Sequence, residues 1–333
     1  MSQPTRILIR LPNWLGDVLL ARPLLHAVAA MAPGPELRAV APAPLLGLLE
    51  PEGLFARAEA RPREGAGWRS LVARTRAWTP DVALVLPPSF SGAWFAFRCA
   101  ARRRVGYRHE GRGFLLTDAL ARPERGERHA AREYLDLGAV IGARERVLPP
   151  LAVGAAADAA ALDARSSRGL GEGPFAILAP GAIYGPAKRW PTERFAAVGR
   201  ALLAKGMRVV ACGAPDERDL CEALAASLGP GAVSLAGHTD LPVQAALCAR
   251  AALCVANDSG LAHLAAAVDC PTVVVFGSTS PAWTAPVGRR VRIACRPPVC
   301  SPCFQRTCRI GYRCLDAVPA AHVIERAWEV AAA

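Results

Sequence analysis

The sequence predicts an α/β protein of two doubly wound domains, each a parallel sheet with helices on both faces. Near the start, Arg6 to Ala21 reads RILIRLPNWLGDVLLA: an apolar run that stops at Pro12, a short loop, then an apolar helix. Short apolar runs then alternate with helical stretches through the first half, the pattern of a parallel sheet covered on both sides. From Phe175 the alternation begins again, after a segment from Pro149 to Gly173 rich in Pro, Ala and Gly.

In the first half, strands are expected at Arg6–Leu11, Leu37–Ala41, Val82–Leu86 and Arg104–Gly106. Helices are expected at Val18–Met31, Ala43–Glu50, Trp68–Trp78, Ser91–Ala101 and Glu133–Ile141. The second half places strands at Phe175–Ala179, Val209–Cys212, Val233–Ala236, Leu253–Ala256 and Thr272–Phe276. Its helices are Pro191–Lys205, with Pro191 in the first turn, then Glu217–Leu228, Leu241–Arg250 and Gly260–Val268. The expected domains are residues 1–164 and 165–318, with a closing helix at 319–333 that is a candidate to pack back on the first domain. Two such domains facing each other would form a cleft lined by strand ends and helix N-termini, an arrangement that favours anions.

At 333 residues and 52% hydrophobic, the chain can build a core in each half. Its most apolar region, Ala251 to Phe276, is interrupted by Asp258, His263 and Asp269, so no membrane-spanning helix is expected. The start runs straight into a strand without the pattern of a signal peptide. A cytoplasmic protein is expected, and without a coiled-coil seam a monomer. The net charge is +12, with only two lysines, Lys188 and Lys205, among 40 basic residues. Arginine suits bidentate binding of phosphate and carboxylate. The excess therefore points to an acidic partner, or simply to a solvated surface. The densest cluster is Arg102 to Arg104 with Arg108 and Arg112. No nucleic-acid module accompanies it, and a DNA-binding role would require steeply salt-dependent affinity. Of 11 cysteines, most sit singly in apolar surroundings. Four cluster late, Cys300, Cys303, Cys308 and Cys314, with the number and part of the spacing of a structural zinc site. Reduced packing thiols are the alternative, disulfides being disfavoured in a reducing compartment.

Chemistry concentrates at strand ends, where open α/β sheets bind ligands. Asp17 follows the first strand, with Gly16 expected to serve the turn. Its plain reading is a helix N-cap. The segment Pro180 to Pro191, PGAIYGPAKRWP, links a strand to a helix with two glycines, Lys188 and Arg189. Such a loop can hold a diphosphate, although it lacks the spacing of a P-loop. In Asn257 to His263, NDSGLAH, Asp258 or Ser259 can cap the helix. Alternatively Asp258 accepts from sugar hydroxyls while Ser259 and Gly260 offer N–H groups to phosphate. His263, one turn in, reads by itself as a buried core residue. Gly277 to Pro281, GSTSP, and Glu217, near a ribose, are weaker signals of the same kind.

The pieces RLPNWLGDVLLARPLL, PGAIYGPAKRWPTERFA and NDSGLAHLAAAVDCPTVVVFGSTSPAWTAP resemble the ADP-heptose:lipopolysaccharide heptosyltransferases of glycosyltransferase family 9. The wording YGPAKRWP and GSTSP, with the late cysteines, is most similar to the heptosyltransferase II branch. The resemblance runs from about Arg6 to Cys314. It implies a GT-B fold and metal-independent, inverting transfer of heptose from ADP-L-glycero-D-manno-heptose, with no cofactor required. The general base of the family falls on Asp17 and its phosphate-binding lysine on Lys188. Its ribose contact falls on Glu217, and its donor motif on Asp258, Ser259, Gly260 and His263. Tyr184 and Gly185 stand where donor phosphate contacts are expected, from the backbone or from the tyrosine.

The implied acceptor is the Kdo-lipid A inner core, rich in carboxylates and phosphates. Asn13, Arg102, Arg104 and Arg108 are its candidate contacts, and the arginines also suit anionic lipid headgroups at the inner face of the inner membrane. The alternatives are heptosyltransferase I or a relative with another acceptor, and a sugar-nucleotide-binding protein on the same fold.

Overall fold

The computed structural model describes residues 5–171 and 173–332. Glu172 of the Gly-rich boundary segment, and residues 1–4 and 333 at the limits of the expected domains, lie outside them. The chain divides into two compact units, Met1–Pro149 and Pro150–Ala333.

In the first unit six parallel strands run in the order β3-β2-β1-β4-β5-β6: β1 (Arg6–Arg10), β2 (Glu36–Ala41), β3 (Arg57–Ala60), β4 (Val82–Val85), β5 (Arg103–Arg108) and β6 (Asp118–Ala121). Central β1 and β4 are apolar on both faces because helices cover both. The edge strands β3 and β6, absent from the sequence reading, are short and half exposed, and so leave no apolar run to detect. The helices are α1 (Leu15–Ala29), α2 (Ala43–Leu49), α3 (Gly65–Ala77), α4 (Phe90–Arg98) and α5 (Ala130–Ala139). A buried ion pair joins Arg22 of α1 to Glu52, with the His26 ring 3.3 Å from the same carboxylate.

The second unit repeats the plan in the order β12-β11-β10-β7-β8-β9: β7 (Phe175–Ala179), β8 (Arg208–Ala211), β9 (Ala232–Ser234), β10 (Leu253–Asn257), β11 (Thr272–Val275) and β12 (Val291–Ala294). Its helices are α6 (Ala155–Ser166), α7 (Thr192–Ala204), α8 (Arg218–Leu228), α9 (Leu241–Arg250), α10 (Gly260–Ala267), the short α11 (Pro281–Thr284) and α12 (Arg313–Asp316), and α13 (Ala320–Ala331). Counted within each unit, the spatial order is the same 3-2-1-4-5-6, so each sheet reverses strand order between its first and fourth strands.

Two expectations about the units are corrected. The boundary falls at 149/150 rather than 164/165, because α6 is not linker. It packs on α9, buries Ala161, and pairs Asp158 with Arg250 at 2.6 Å. The closing helix α13 commits its apolar face to the second unit. Val323, Ala327 and Val330 are buried in that unit's core against α7, β11 and β12. Among the described residues no helix is long and apolar enough to cross a membrane.

Candidate functional site

In the first unit the reversal lies between β1 and β4. The loop leaving β1 carries Asn13 and Trp14, both exposed, and α1 begins at Leu15. Trp14 occupies the N-cap position and makes no side-chain cap bond. The cap reading of Asp17 is therefore corrected: Asp17 is half-buried inside the first turn, and Gly16, expected to serve a turn, is helical. At that position the positive end of the helix dipole favours a carboxylate. Arg10, buried at the end of β1, anchors the loop. Its Nη2 donates to Asn13 Oδ1 at 2.7 Å and its Nη1 donates to the carbonyls of Leu11 and Val40. Burial, and then the charge of Arg61, bring the Arg10 guanidinium down to about 10. Tyr134 of α5 lies in the field of Asp17: burial first, then the carboxylates of Asp17 and Glu133, raise its phenol well above the ordinary value.

The second unit assembles more of the expected residues. Its reversal lies between β7 and β10, and the loops leaving these strands meet there. Lys188 Nζ, from the loop after β7, lies 2.6 Å from Oδ2 of Asp258, which directly follows β10. The side chains are 13% and 3% exposed. Thr279 Oγ1 donates to the same Oδ2 at 2.5 Å. Lys188 also rests over the Tyr184 ring, 4.8 Å from its centroid, and the Arg306 guanidinium lies 5.4 Å from that centroid. The fully buried Asn257 fastens the loop. Its Nδ2 donates to the Pro180 and Gly181 carbonyls at 2.7 and 3.3 Å, and its Oδ1 accepts from the Trp190 amide at 3.0 Å.

Glu217, at the end of a short turn before α8, is buried beneath this loop. Its Oε2 accepts from the Ala214 amide at 2.9 Å, while Oε1 is buried with no partner. A Cβ at Gly181 would stand 2.1–2.5 Å from the Glu217 carboxylate, so a side chain there would have to displace it. Gly185 is also constrained: its φ of +149° and the Arg306 carbonyl, 2.6 Å from a would-be Cβ, exclude a side chain. Ser259 is the N-cap of α10 without a side-chain cap bond. The Gly260 and Leu261 amides that open the helix have no carbonyl one turn back to bond. His263 is buried one turn further in.

The late cysteine loop ties these parts together. Ser278 O accepts from the Cys303 and Phe304 amides, Arg306 O accepts from the Ala187 amide, and the Tyr184 hydroxyl donates to Phe304 O at 2.6 Å. Cys300 and Cys303 are exposed, Cys308 half-buried and Cys314 buried, all as free thiols. Amides of Ile310 and Tyr312 donate to Cys308 Sγ and lower its pKa, whereas burial raises that of Cys314. Among the described residues no three His, Cys, Asp or Glu side chains are placed to hold a metal ion, so the tetrad is not gathered as the zinc reading requires.

The arginine cluster is split. Arg112, read as surface charge, is fully buried and donates to the carbonyls of Tyr107, Pro87 and Ser89, which clamps the loop after β4. Arg102 and Arg104 sit at the amino end of β5, opposite the ligand-binding ends of the strands. Arg102 faces Asp81 at 3.5 Å, and Arg104 donates to the Leu115 and Ala101 carbonyls. Arg102 and Arg104 thus lie away from the strand ends at which open α/β sheets bind ligands, whereas Arg108, exposed at the carboxyl end of β5, and Asn13 lie on that side. Sequence reading missed Arg10, Tyr134, Thr279 and Arg306. Arg10 stood inside the piece RLPNWLGDVLLARPLL, Thr279 inside GSTSP and Arg306 inside the late cysteine cluster, but none of the three was singled out for itself.

A family model described as glycosyltransferase family 9 (heptosyltransferase) matches residues 68–313. Lipooligosaccharide heptosyltransferase 2 of Haemophilus influenzae is 33% identical over 304 residues, covering 86% of this chain and 87% of that protein. Lipopolysaccharide heptosyltransferase 2 of Escherichia coli is 31% identical over 311 residues, with 86% and 87% covered. The solved structure of E. coli ADP-heptose lps heptosyltransferase II matches with a TM-score of 0.84 and 27% identity, over 98% of this chain and 99% of that one. The two doubly wound units are thus those of a GT-B fold.

Proposed function

The chain belongs to glycosyltransferase family 9, the heptosyltransferases, and from that membership we propose that it transfers L-glycero-D-manno-heptose from ADP-heptose, with inversion, to the first heptose of the lipopolysaccharide inner core. The observation that carries the donor side is the meeting of Lys188 and Asp258 at the strand-order reversal of the second unit. The relatives named heptosyltransferase 2 carry the choice of acceptor.

In this reading an acceptor hydroxyl attacks the anomeric carbon. The bond from that carbon to the diphosphate oxygen breaks, ADP leaves with the electron pair, and Asp17 takes the hydroxyl proton. Lys188 and the opening amides of α10, at Gly260 and Leu261, neutralise the leaving diphosphate without a divalent ion. Asp258, pinned by Thr279, orients Lys188 and offers its remaining oxygen to sugar hydroxyls. The unpaired Oε1 of Glu217 suits a ribose hydroxyl, and Gly181 admits the nucleoside close to it. Tyr184, Gly185, Ser259 and His263 complete the donor surroundings, and Asn13 and Arg108 contact the acceptor. The four late cysteines take no step in the reaction; their loop braces Ser278, Ala187 and Tyr184. The acceptor is anchored in lipid, so the enzyme works peripheral to the cytoplasmic face of the inner membrane; without a coiled-coil seam in the sequence, we take it to act as a monomer.

Mass spectrometry of transfer tests this, with ADP-heptose, a core acceptor carrying one heptose, and EDTA present. The acceptor should gain one heptose, and Asp17→Asn should slow the gain by about 10²–10⁴-fold while still binding ADP. Gain only on a heptose-free Kdo acceptor would move the assignment to heptosyltransferase I. Bound nucleotide with no transfer to either acceptor would favour a binding protein.

A further inference from the structure

Helix α4 turns its small residues and Phe95 inward and three other large rings outward. Gly92, Ala93 and Ala96, with Phe95, are buried against the sheet, while Phe90, Trp94 and Phe97 are 42%, 43% and 44% exposed. Positions i, i+4 and i+7 form one stripe along the helix, about 10 Å long at 1.5 Å per residue. Phe114 extends it at one end, 75% exposed and 6.2 Å from the Phe90 ring. Trp94 and Phe97 stack on each other at 5.6 Å. Single exposed apolar residues need no explanation, but a contiguous aromatic stripe marks an interaction surface.

The charge around the stripe selects the partner. Arg98 lies over Trp94 and Arg104 over Phe97, at 5.7 and 5.6 Å. Arg76, Arg98 and Arg104, with Phe97, line an open cavity of about 460 Å³ at the amino end of the sheet. Among the described residues none of these three guanidiniums pairs with a carboxylate. The nearest acid on the stripe is Glu110 at its other end, which accepts from the Phe90 amide at 3.4 Å. Aromatic rings flanked by arginines that carry no carboxylate partner match a bilayer interface: the rings enter the headgroup–acyl boundary and the positive charges meet lipid phosphates, Arg76 and Arg98 most directly. A protein partner covering the same rings would have to bury those cations or supply its own anions.

We propose that the outer face of α4, with Phe114 and the Arg76–Arg98–Arg104 cavity, docks this protein on an anionic phospholipid bilayer. The docking face gives a surface to the peripheral location read above, and rests on that reading for its biological context. The stripe reaches the carboxyl-end side of the sheet at Phe90 and Phe114, the side on which Asn13 and Arg108 lie. An acceptor still anchored in the leaflet would therefore be presented to that end of the first unit.

The test is cosedimentation of the full chain with vesicles of phosphatidylethanolamine and phosphatidylglycerol, and with phosphatidylcholine alone. The protein should pellet with the anionic vesicles, and Trp94→Ser, Phe97→Ser and Phe114→Ser combined should lower its partitioning at least about tenfold. Arg76→Gln with Arg98→Gln should remove the preference for anionic lipid. Brominated acyl chains should quench tryptophan emission in the wild type and distinctly less in Trp94→Phe. Transfer to a delipidated, water-soluble acceptor should be the same in the triple variant as in the wild type. Equal binding by wild type and triple variant, no binding of the wild type to anionic vesicles, or a dimer in solution that the triple variant dissociates would overturn the docking face. Vesicle binding lost in the triple variant, with no transfer by the wild type to the soluble acceptor, would support the docking face and overturn the heptosyl-transfer reading instead.

Discussion

Lys188→Met separates the structural task of the lysine from its chemical one. The substitution keeps an apolar stem and removes a cation 2.6 Å from a carboxylate that is only 3% exposed. Asp258 is left with the Thr279 hydroxyl as its side-chain partner. Stranding one member of a buried pair costs about 3–5 kcal/mol, and the partial exposure of Lys188 places the loss near the lower end, about 3 kcal/mol. In a unit of this size each kcal/mol lowers Tm by about 2–4 °C, so the second unit should melt about 6–12 °C earlier. Adding Asp258→Asn removes the stranded charge and should bring stability back to within about 1 kcal/mol of wild type. Activity should not return with it, because both variants lack a cation for the leaving diphosphate; a loss of about 10²–10³ in kcat/KM is expected for each. Calorimetry and ADP release in the presence of the one-heptose acceptor measure the two effects. Wild-type-like turnover in Lys188→Met, or activity that recovers together with stability in the double variant, would reduce Lys188 to a structural partner of Asp258.

The remaining predictions test the packing that supports each unit. Gly181→Ala pushes a methyl group to within 2.1–2.5 Å of the Glu217 carboxylate; it should cost about 1–3 kcal/mol and weaken ADP binding in a calorimetric titration, and unchanged affinity would remove Glu217 from the nucleoside site. Arg22→Met leaves Glu52 buried and charged in the first unit, and urea unfolding at neutral pH should show a loss of about 3–5 kcal/mol. The wild type should also lose stability in acid through Glu52. Burial raises the Glu52 pKa, but the hydrogen bonds and charges of His26 and Arg22 outweigh this and bring it below the ordinary 4.5. A depressed folded value means that the stabilisation is complete above pH 4.5 and is lost as pH falls through the folded pKa. Glu52→Gln should lack that part of the acid slope, as urea midpoints read across the pH range will show.

The central strands were legible because burial on two faces writes a continuous apolar run such as Ile7-Leu8-Ile9 into the sequence. Edge strands β3 and β6 write nothing comparable. Lys188 and Asp258 were both legible as loop residues at strand ends, but their contact was not. It depends on the strand order that sets β7 beside β10, and no local spacing encodes that order. Arg112 shows the opposite failure. A run of arginines looks solvated, yet this one fills a buried position where three carbonyls require a multidentate donor. The end of the sheet at which Arg102 and Arg104 lie was not legible, because a charge cluster carries no direction. Strand direction decides that only Arg108 reaches the carboxyl end.

In the donor site proposed above, a carboxylate runs against simple charge complementarity, and Asp258 has to be reconciled with a diphosphate donor. Its environment does so. One oxygen, Oδ2, is committed to both Lys188 and Thr279, so the negative charge is balanced before any ligand arrives. The lysine is held across the junction of β7 and β10 rather than left to sample its rotamers, so less ordering entropy remains to be spent when a phosphate approaches. The other oxygen is not part of this lock, and a carboxylate oxygen suits hydroxyl donors better than anions. The loop after β7 therefore presents positive charge and the loop after β10 an acceptor, side by side at one strand-order reversal. A nucleotide-activated sugar carries the matching pair of groups, a diphosphate joined directly to a polyol. Free phosphate, or nucleotide without sugar, would use only half of what the site offers.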